Sequence, residues 1–319
     1  MTSMDASETE AKRAPVTSIR EWVRADPDSE FPAESGRYHL YLSLACPFAS
    51  RAYFMLVHKG LENVISKSIV HYLRPDAEKG WEFTPGHYRT DADTVNGKKY
   101  MREIYEMCAP EYSGRITVPV FFDKKMKRIV STESGDILRM LSTEFNAFCE
   151  TDEQRQIDLY PEGLRDSVDE MNTFIGDAIN SGVYGCGLAT VQEKYDASAE
   201  KLFSALDKLE DVLSKSRYIL GDRMTESDVR LFTSLARFDM VYHGLFKCNK
   251  RRLVDYPNLW AFTRDLYQLP GIDATVDRFH IETHYPSVFK QINPHGIISI
   301  GPQPLDFNAP HGRDTQFSA

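Results

Sequence analysis

The sequence predicts an α/β unit followed by an all-α unit, a thioredoxin-like domain and then a helical one. Three observations carry this. An apolar strand pattern, Tyr38 to Ser43, runs into Cys46-Pro47 and then a helix-compatible segment, Ala49 to Lys59. From Arg37 to Ser142 the order reads strand, helix, strand, helix, strand, strand, helix. Beyond residue 153 strand patterning stops, and apolar residues recur at helical spacing, as in Leu202, Leu206, Leu209 and Leu213.

A chain of 319 residues suggests two domains, each able to bury a core. Residues 1–34 read as a polar extension, with Trp22 and Phe31 able to dock it on the body. The boundaries are then 35–145 for the thioredoxin-like domain, 153–285 for the helical domain and 286–319 for an irregular, Gly/Pro-rich tail. The net charge of −9 gives no general attraction to nucleic acid or anionic membrane. An anionic small substrate would need a local basic or N–H-rich pocket. No apolar run approaches the ~20 residues of a membrane span. The acidic N-terminus resembles neither a secretory signal nor a transit peptide. Cysteines 46, 108, 149, 186 and 248 are odd in number and scattered, which suits free thiols in a reducing compartment. The histidines show no metal-ligand spacing, so no metal is expected.

Within the first domain, Val64 to Tyr72 is the second strand. Arg74 to Lys99 is a long connection carrying Gly80-Trp81-Glu82-Phe83, more often functional than idle at that length. Met101 to Cys108 reads as a short helix. Val118 to Asp123 and Ile129-Val130 make a hairpin, and Ser131-Thr132-Glu133-Ser134 caps a helix carrying Ile137, Leu138 and Leu141. Leu141 to Asp152 is the linker. In the second domain Thr225-Glu226-Ser227-Asp228 is a capping box, and Tyr256-Pro257 opens another helix.

Cys46 is the first candidate for chemistry. Pro47 at the first helical position puts the thiol at the positive end of a helix, where a thiolate is favoured. The second cysteine of a Cys-x-x-Cys pair is replaced by Ala49, so a mixed disulfide here must be resolved by an outside thiol. The bland alternative is a buried cysteine in a strand-to-helix turn. Pro119, after Thr117-Val118, is expected to be cis and to lie beside that cysteine, as in thioredoxin-like domains, leaving Val118 free to pair with a peptide-like ligand. An ordinary edge-strand proline is the other reading. Glu133 and Ser134 at a helix start suit the two charges of an α-amino acid head group, or plain capping. The helical half adds Tyr184, Tyr242 and Tyr285 in unusual local sequences, although a tyrosine is more often a core residue.

Taken together these motifs resemble the glutathionyl-hydroquinone reductases, the Xi class of glutathione transferases. The match spans about Gly36 to Pro302. It rests on Arg37-Tyr38-His39-Leu40-Tyr41 with Ser43-Leu44-Ala45-Cys46-Pro47, Gly80-Trp81-x-Phe83 and Arg115-Ile116-Thr117-Val118-Pro119-Val120. Glu133-Ser134, Gly182-Val183-Tyr184, Arg237-Phe238-Asp239-x-Val241-Tyr242 and His284-Tyr285 extend it. The family commonly carries Trp where this chain has Phe48, and His where it has Ser50.

The resemblance implies a glutathione transferase fold, usually a cytoplasmic homodimer, with glutathione as co-substrate. Cys46 would be the nucleophile. Trp81, Arg115, Ile116, Thr117, Val118, Glu133 and Ser134 would hold glutathione. Tyr184 would donate a proton, and Tyr242 and Tyr285 would favour the Cys46 thiolate by hydrogen bonds. The implied reaction reduces glutathionyl-hydroquinones through a Cys46–glutathione disulfide. The same thiol would also permit a broader thioltransferase or dehydroascorbate reductase, and a non-catalytic binding protein on this fold is a third reading.

Overall fold

The computed structural model describes residues 17–74, 76 and 78–318. Its sheet grows from β1 (Tyr38–Leu42), which pairs in parallel with β2 (Ser66–Ile69) and antiparallel with β3 (Val120–Asp123). β4 (Arg128–Ser131) closes the other edge, giving the order β2-β1-β3-β4. Every residue of β1 is buried, because both sheet faces are covered. On one face Tyr38 stacks on Phe121 with centroids 5.1 Å apart and meets Phe145 edge-on. On the other, His39 lies between the Ser66 and Ser68 hydroxyls, and Tyr41 donates to Asp93 at 2.8 Å. Asp93 lies in the long connection, so that segment roofs the sheet and carries Trp81 and Phe83 into the core.

α1 (Pro47–His58) starts directly after Cys46, whose extended backbone makes it the N-cap, and packs against α3 (Ser134–Thr143). α2 (Met101–Cys108) has the predicted bounds. The cap of α3 differs from expectation. Ser131 belongs to β4, Glu133 is the N-cap without a side-chain bond, and the Ser131 hydroxyl accepts from the Glu133 N–H at 3.1 Å. Sheet pairing has claimed the residues a capping motif would use.

The rest is helical: α4 (Asp152–Gln156), α5 (Arg165–Ile175), α6 (Gly182–Gly187), α7 (Gln192–Leu213), α8 (Glu226–Arg237), α9 (His243–Leu245), α10 (Pro257–Tyr267), α11 (Arg278–Val288) and α12 (Arg313–Gln316). The Thr225 box forms as predicted, with Asp228 accepting from the Thr225 N–H at 2.7 Å and hydroxyl at 2.9 Å. Two π-helical segments, Gly176–Asn180 and Phe238–Tyr242, interrupt the helices. Each widens a turn and rotates the following side chains off the 3.6-residue phase. α8 packs on α1, joining the halves.

The arm docks as its aromatics suggested: Phe31 is buried, and the Trp22 indole donates to Glu144 at 3.1 Å. Its first 16 residues lie outside the described ones. At the other end α11 continues through Pro286 to Val288, three residues into the stretch expected to be tail. The remaining tail is irregular up to α12 and is anchored there. Buried Arg313 donates to the carbonyls of Leu213, Ser216 and Arg217, where α7 ends.

Candidate active site

Cys46 forms part of the wall of a cavity of about 540 Å³ between the sheet end and the helical half. Its thiol is partly exposed, and its contact is the Val118 carbonyl at 3.7 Å. The Val118–Pro119 peptide is cis, as the sequence suggested. The helix start alone argues for a thiolate, but burial among protein atoms outweighs it and pushes the Cys46 thiol up. The N–H groups of Ala49 and Phe48 and the guanidinium groups of Arg237 and Arg51 pull in the other direction.

The residues predicted to hold glutathione line this one cavity: Trp81, Arg115, Ile116, Thr117, Val118, Glu133 and Ser134. Two tyrosines fix the Arg115–Val118 stretch. Tyr112 donates to the Arg115 carbonyl and Tyr105 to the Thr117 carbonyl, each at 3.1 Å. Gly80, at φ +79, occupies a backbone region closed to most residues, which turns the chain before Trp81. Ser134 is the first residue of α3, so its N–H points where an anion would sit.

Tyr184 and Tyr285 also line the cavity. α6 can carry Tyr184 there because Gly187 presses on Phe246, whose ring would lie 2.3 Å from any added Cβ. Tyr285 is the hub, bonded through its hydroxyl to that of Tyr184 at 3.0 Å and that of Tyr242 at 2.9 Å. Tyr242 is fully buried in the second π-segment, stacked on Phe246, and meets the cavity-lining tyrosines through its hydroxyl bond to Tyr285 and its edge-on contact with the Tyr184 ring, centroids 6.1 Å apart. The tyrosine hydroxyls bond to one another rather than to Cys46. Burial pushes all three phenols up, so all remain protonated donors at neutral pH.

Sequence reasoning missed several lining residues. His284 stacks on Trp81, and its Nδ1 lies 2.6 Å from the Tyr72 carbonyl. A carbonyl only accepts, so Nδ1 carries the proton; burial lowers His284 to about 4 and keeps it neutral. Arg74 covers the Trp81 ring from 5.2 Å. Asn180, delivered by the first π-segment, accepts from Arg51 at 2.7 Å. Phe48, Leu188, Val288 and Phe289 supply the apolar wall. His284, beside Tyr285, and Phe48, two residues after Cys46, stood in the motifs without a role; the others had no local signal. The cavity therefore combines cationic groups (Arg74, Arg115), one carboxylate (Glu133), a monothiol and a phenol cluster beside apolar surface. That suits an anionic thiol-bearing peptide joined to an aromatic group.

Comparison with known proteins agrees with this chemistry. Residues 45–144 match the family described as glutathione S-transferase, N-terminal domain, and residues 192–265 its C-terminal domain. The chain is 46% identical over 307 residues to glutathionyl-hydroquinone reductase YqjG of Escherichia coli (strain K12), covering 94% of this chain and 92% of that one. It is 41% identical to glutathionyl-hydroquinone reductase PcpF of Sphingobium chlorophenolicum, covering 87% of each. The glutathione-bound structure of YqjG superposes with a TM-score of 0.89 at 45% identity, covering 95% of this chain and 100% of that one. A Xi-class glutathione transferase from Natrialba magadii gives 0.89 at 46% identity, covering 94% and 90%.

Proposed function

The chain belongs to the glutathionyl-hydroquinone reductases, the Xi class of glutathione transferases, and from that membership we propose how its own residues carry out the reduction of glutathionyl-hydroquinones. The Cys46 thiolate attacks the sulfur of the glutathionyl adduct. The carbon–sulfur bond breaks, its electron pair goes to the ring carbon, and Tyr184 protonates that carbon. Hydroquinone leaves, and Cys46 holds glutathione as a mixed disulfide. A second glutathione thiolate attacks the glutathione sulfur, releasing glutathione disulfide and the Cys46 thiolate. Net, one glutathione and one adduct give one hydroquinone and one glutathione disulfide.

The observation that carries this reading is a thiol without a neighbouring thiol, on the wall of a cavity that a cluster of protonated phenols also lines. Ala49 at the start of α1 leaves resolution to solution glutathione. Because burial pushes the thiol up, the thiolate share of Cys46 is smaller than that of an ordinary cysteine, while each thiolate is the stronger nucleophile. Tyr285 would replenish the Tyr184 proton and Tyr242 would hold Tyr285. Trp81, Arg115 to Val118, Glu133 and Ser134 would seat glutathione, with Phe48, Leu188 and Phe289 against the aromatic ring. Action as a homodimer in the cytoplasm completes the proposal. Among the described residues no helix is long and apolar enough to cross a membrane.

Mass spectrometry after incubation with a glutathionyl-hydroquinone tests the central step. One glutathione added to the Cys46 peptide, and removed by free glutathione, is the expected result. Wild-type turnover by Cys46→Ala would overturn it.

A further inference from the structure

Arg237 is fully buried at the end of α8, yet every one of its bonds goes to a neutral oxygen. Its Nη1 donates to the Thr233 carbonyl at 2.7 Å, within its own helix. Its other donors cross to the opposite half of the protein. Nε reaches the Ala45 carbonyl at 2.8 Å; Nη2 reaches the Leu44 carbonyl at 3.0 Å and the Ser50 hydroxyl at 2.6 Å. The Ser50 hydroxyl in turn donates to the Cys46 carbonyl at 3.1 Å. One guanidinium thus holds three successive carbonyls of the nucleophile's turn, two directly and the third through Ser50. The site where the family commonly has His is here part of that link.

Buried charges are ordinarily paired, because an isolated one is costly to desolvate. Buried Arg37 follows the rule, with Asp123 at 2.6 Å. Among the described residues Arg237 has no carboxylate partner within ion-pair distance. Its hydrogen bonds satisfy its N–H groups and leave its charge uncompensated beside a sulfur that must become negative.

We propose that Arg237 is the positioning residue of the Cys46 nucleophile, bracing its turn directly and through Ser50 while supplying the charge that a Cys46 thiolate faces. The other ionisable groups that share the cavity or its wall with Cys46 are Arg51 on α1, Arg74 in the long connection, Arg115 before β3, Glu133 before α3, Tyr184 on α6, and His284, held neutral by burial, with Tyr285 on α11. Arg51 is a weaker candidate for the role, since burial and Arg230 lower it to about 9 and its bonds go to Asn180 and Ser134, not to the turn.

The inference rests on the proposed function only in taking Cys46 as the nucleophile. Its test is the pH dependence of Cys46 alkylation by iodoacetamide, read beside reductase kinetics for Arg237→Met, Arg237→Lys and Ser50→Ala. Arg237→Met should move the alkylation midpoint up by about one pH unit, roughly tenfold less thiolate at neutral pH. Its kcat should fall with little change in KM for glutathione. Arg237→Lys keeps the charge but cannot hold the separate acceptors of a planar fork, so its midpoint should stay near wild type while kcat falls. A folded Arg237→Met with a wild-type alkylation profile overturns the proposal. Should Arg237→Met not fold, wild-type kcat in both Arg237→Lys and Ser50→Ala overturns it, and a loss in both supports it. Alkylation needs no glutathionyl substrate. A wild-type protein with a reactive Cys46 and no reductase turnover would therefore sink the functional reading and leave this one standing.

Discussion

The Trp81 indole and the His284 imidazole lie face to face, with centroids 5.0 Å apart and planes 14° from parallel. One ring comes from the long connection of the sheet-bearing half and the other from α11, so a wall of the cavity is assembled across both halves. His284→Ala should leave the indole without its backing. An aromatic pair of this kind contributes on the order of 0.5–1.5 kcal/mol, so KM for glutathione should rise about two- to tenfold with kcat largely kept. Steady-state kinetics at varied glutathione would check this, and an unchanged KM would count against Trp81 as a glutathione contact.

Stability should fall in acid through buried neutral histidines. Burial lowers both His39 and His284 from 6.5 to about 4. Between those values the unfolded chain binds protons that the folded chain refuses, so stability decreases as pH falls from 6.5 toward 4 and is flat above 6.5 on their account. Each contributes up to roughly 3 kcal/mol at the bottom of that window. Urea melts at pH 7.5 and 4.5 would show it, with a smaller difference in His39→Gln. Equal midpoints for the wild type would contradict the assignment.

Tyr184→Phe separates the two halves of the proposed chemistry. Loss of a general acid lowers turnover of a glutathionyl-hydroquinone by about 10²–10⁴-fold. Exchange with a small glutathionylated disulfide, whose leaving thiolate needs no carbon protonation, should persist. Equal losses on both substrates would remove Tyr184 from the proton-transfer role.

Tyr285→Phe removes the hub hydroxyl and leaves that of Tyr242 buried without this partner. The expected cost is about 1–3 kcal/mol of stability, together with slower turnover. Tyr242→Phe should slow turnover less, because Tyr285 keeps its bond to Tyr184. Comparing melts and kcat for the two variants tests the order of the network.

Asp123 is fully buried, accepting from Arg37 Nε at 2.9 Å and Nη2 at 2.6 Å and from the Lys125 and Met126 N–H groups. Asp123→Ala removes the fully buried partner of Arg37, leaving it Glu34 at 2.8 Å, and opens the β3–β4 turn. Chemical denaturation should show a loss of about 1.5–3 kcal/mol, more than an exposed pair such as Lys67–Glu62 contributes.

The sequence by itself determined whatever depends on neighbouring residues. Cys46-Pro47 had to begin a helix, Ala49 made the thiol solitary, and Thr225 with Asp228 closed a cap three residues apart. Val118-Pro119 belonged to a motif that names its own geometry. Tertiary structure alone decided the rest. Ser131 to Ser134 had the composition of a cap, but β4 took Ser131 into the sheet. Tyr242 was grouped with Tyr184 and Tyr285, yet a π-segment turned it behind Tyr285, a rotation that no regular helical spacing predicts. Helix-start favour for a thiolate was legible; the burial that opposes it was not. Arg237 and Cys46 are far apart in the chain, and only the packing of α8 on α1 brings that guanidinium to the turn. Local bonding patterns follow from adjacent residues, whereas burial and unpaired charge exist only once distant segments exclude water from the same place.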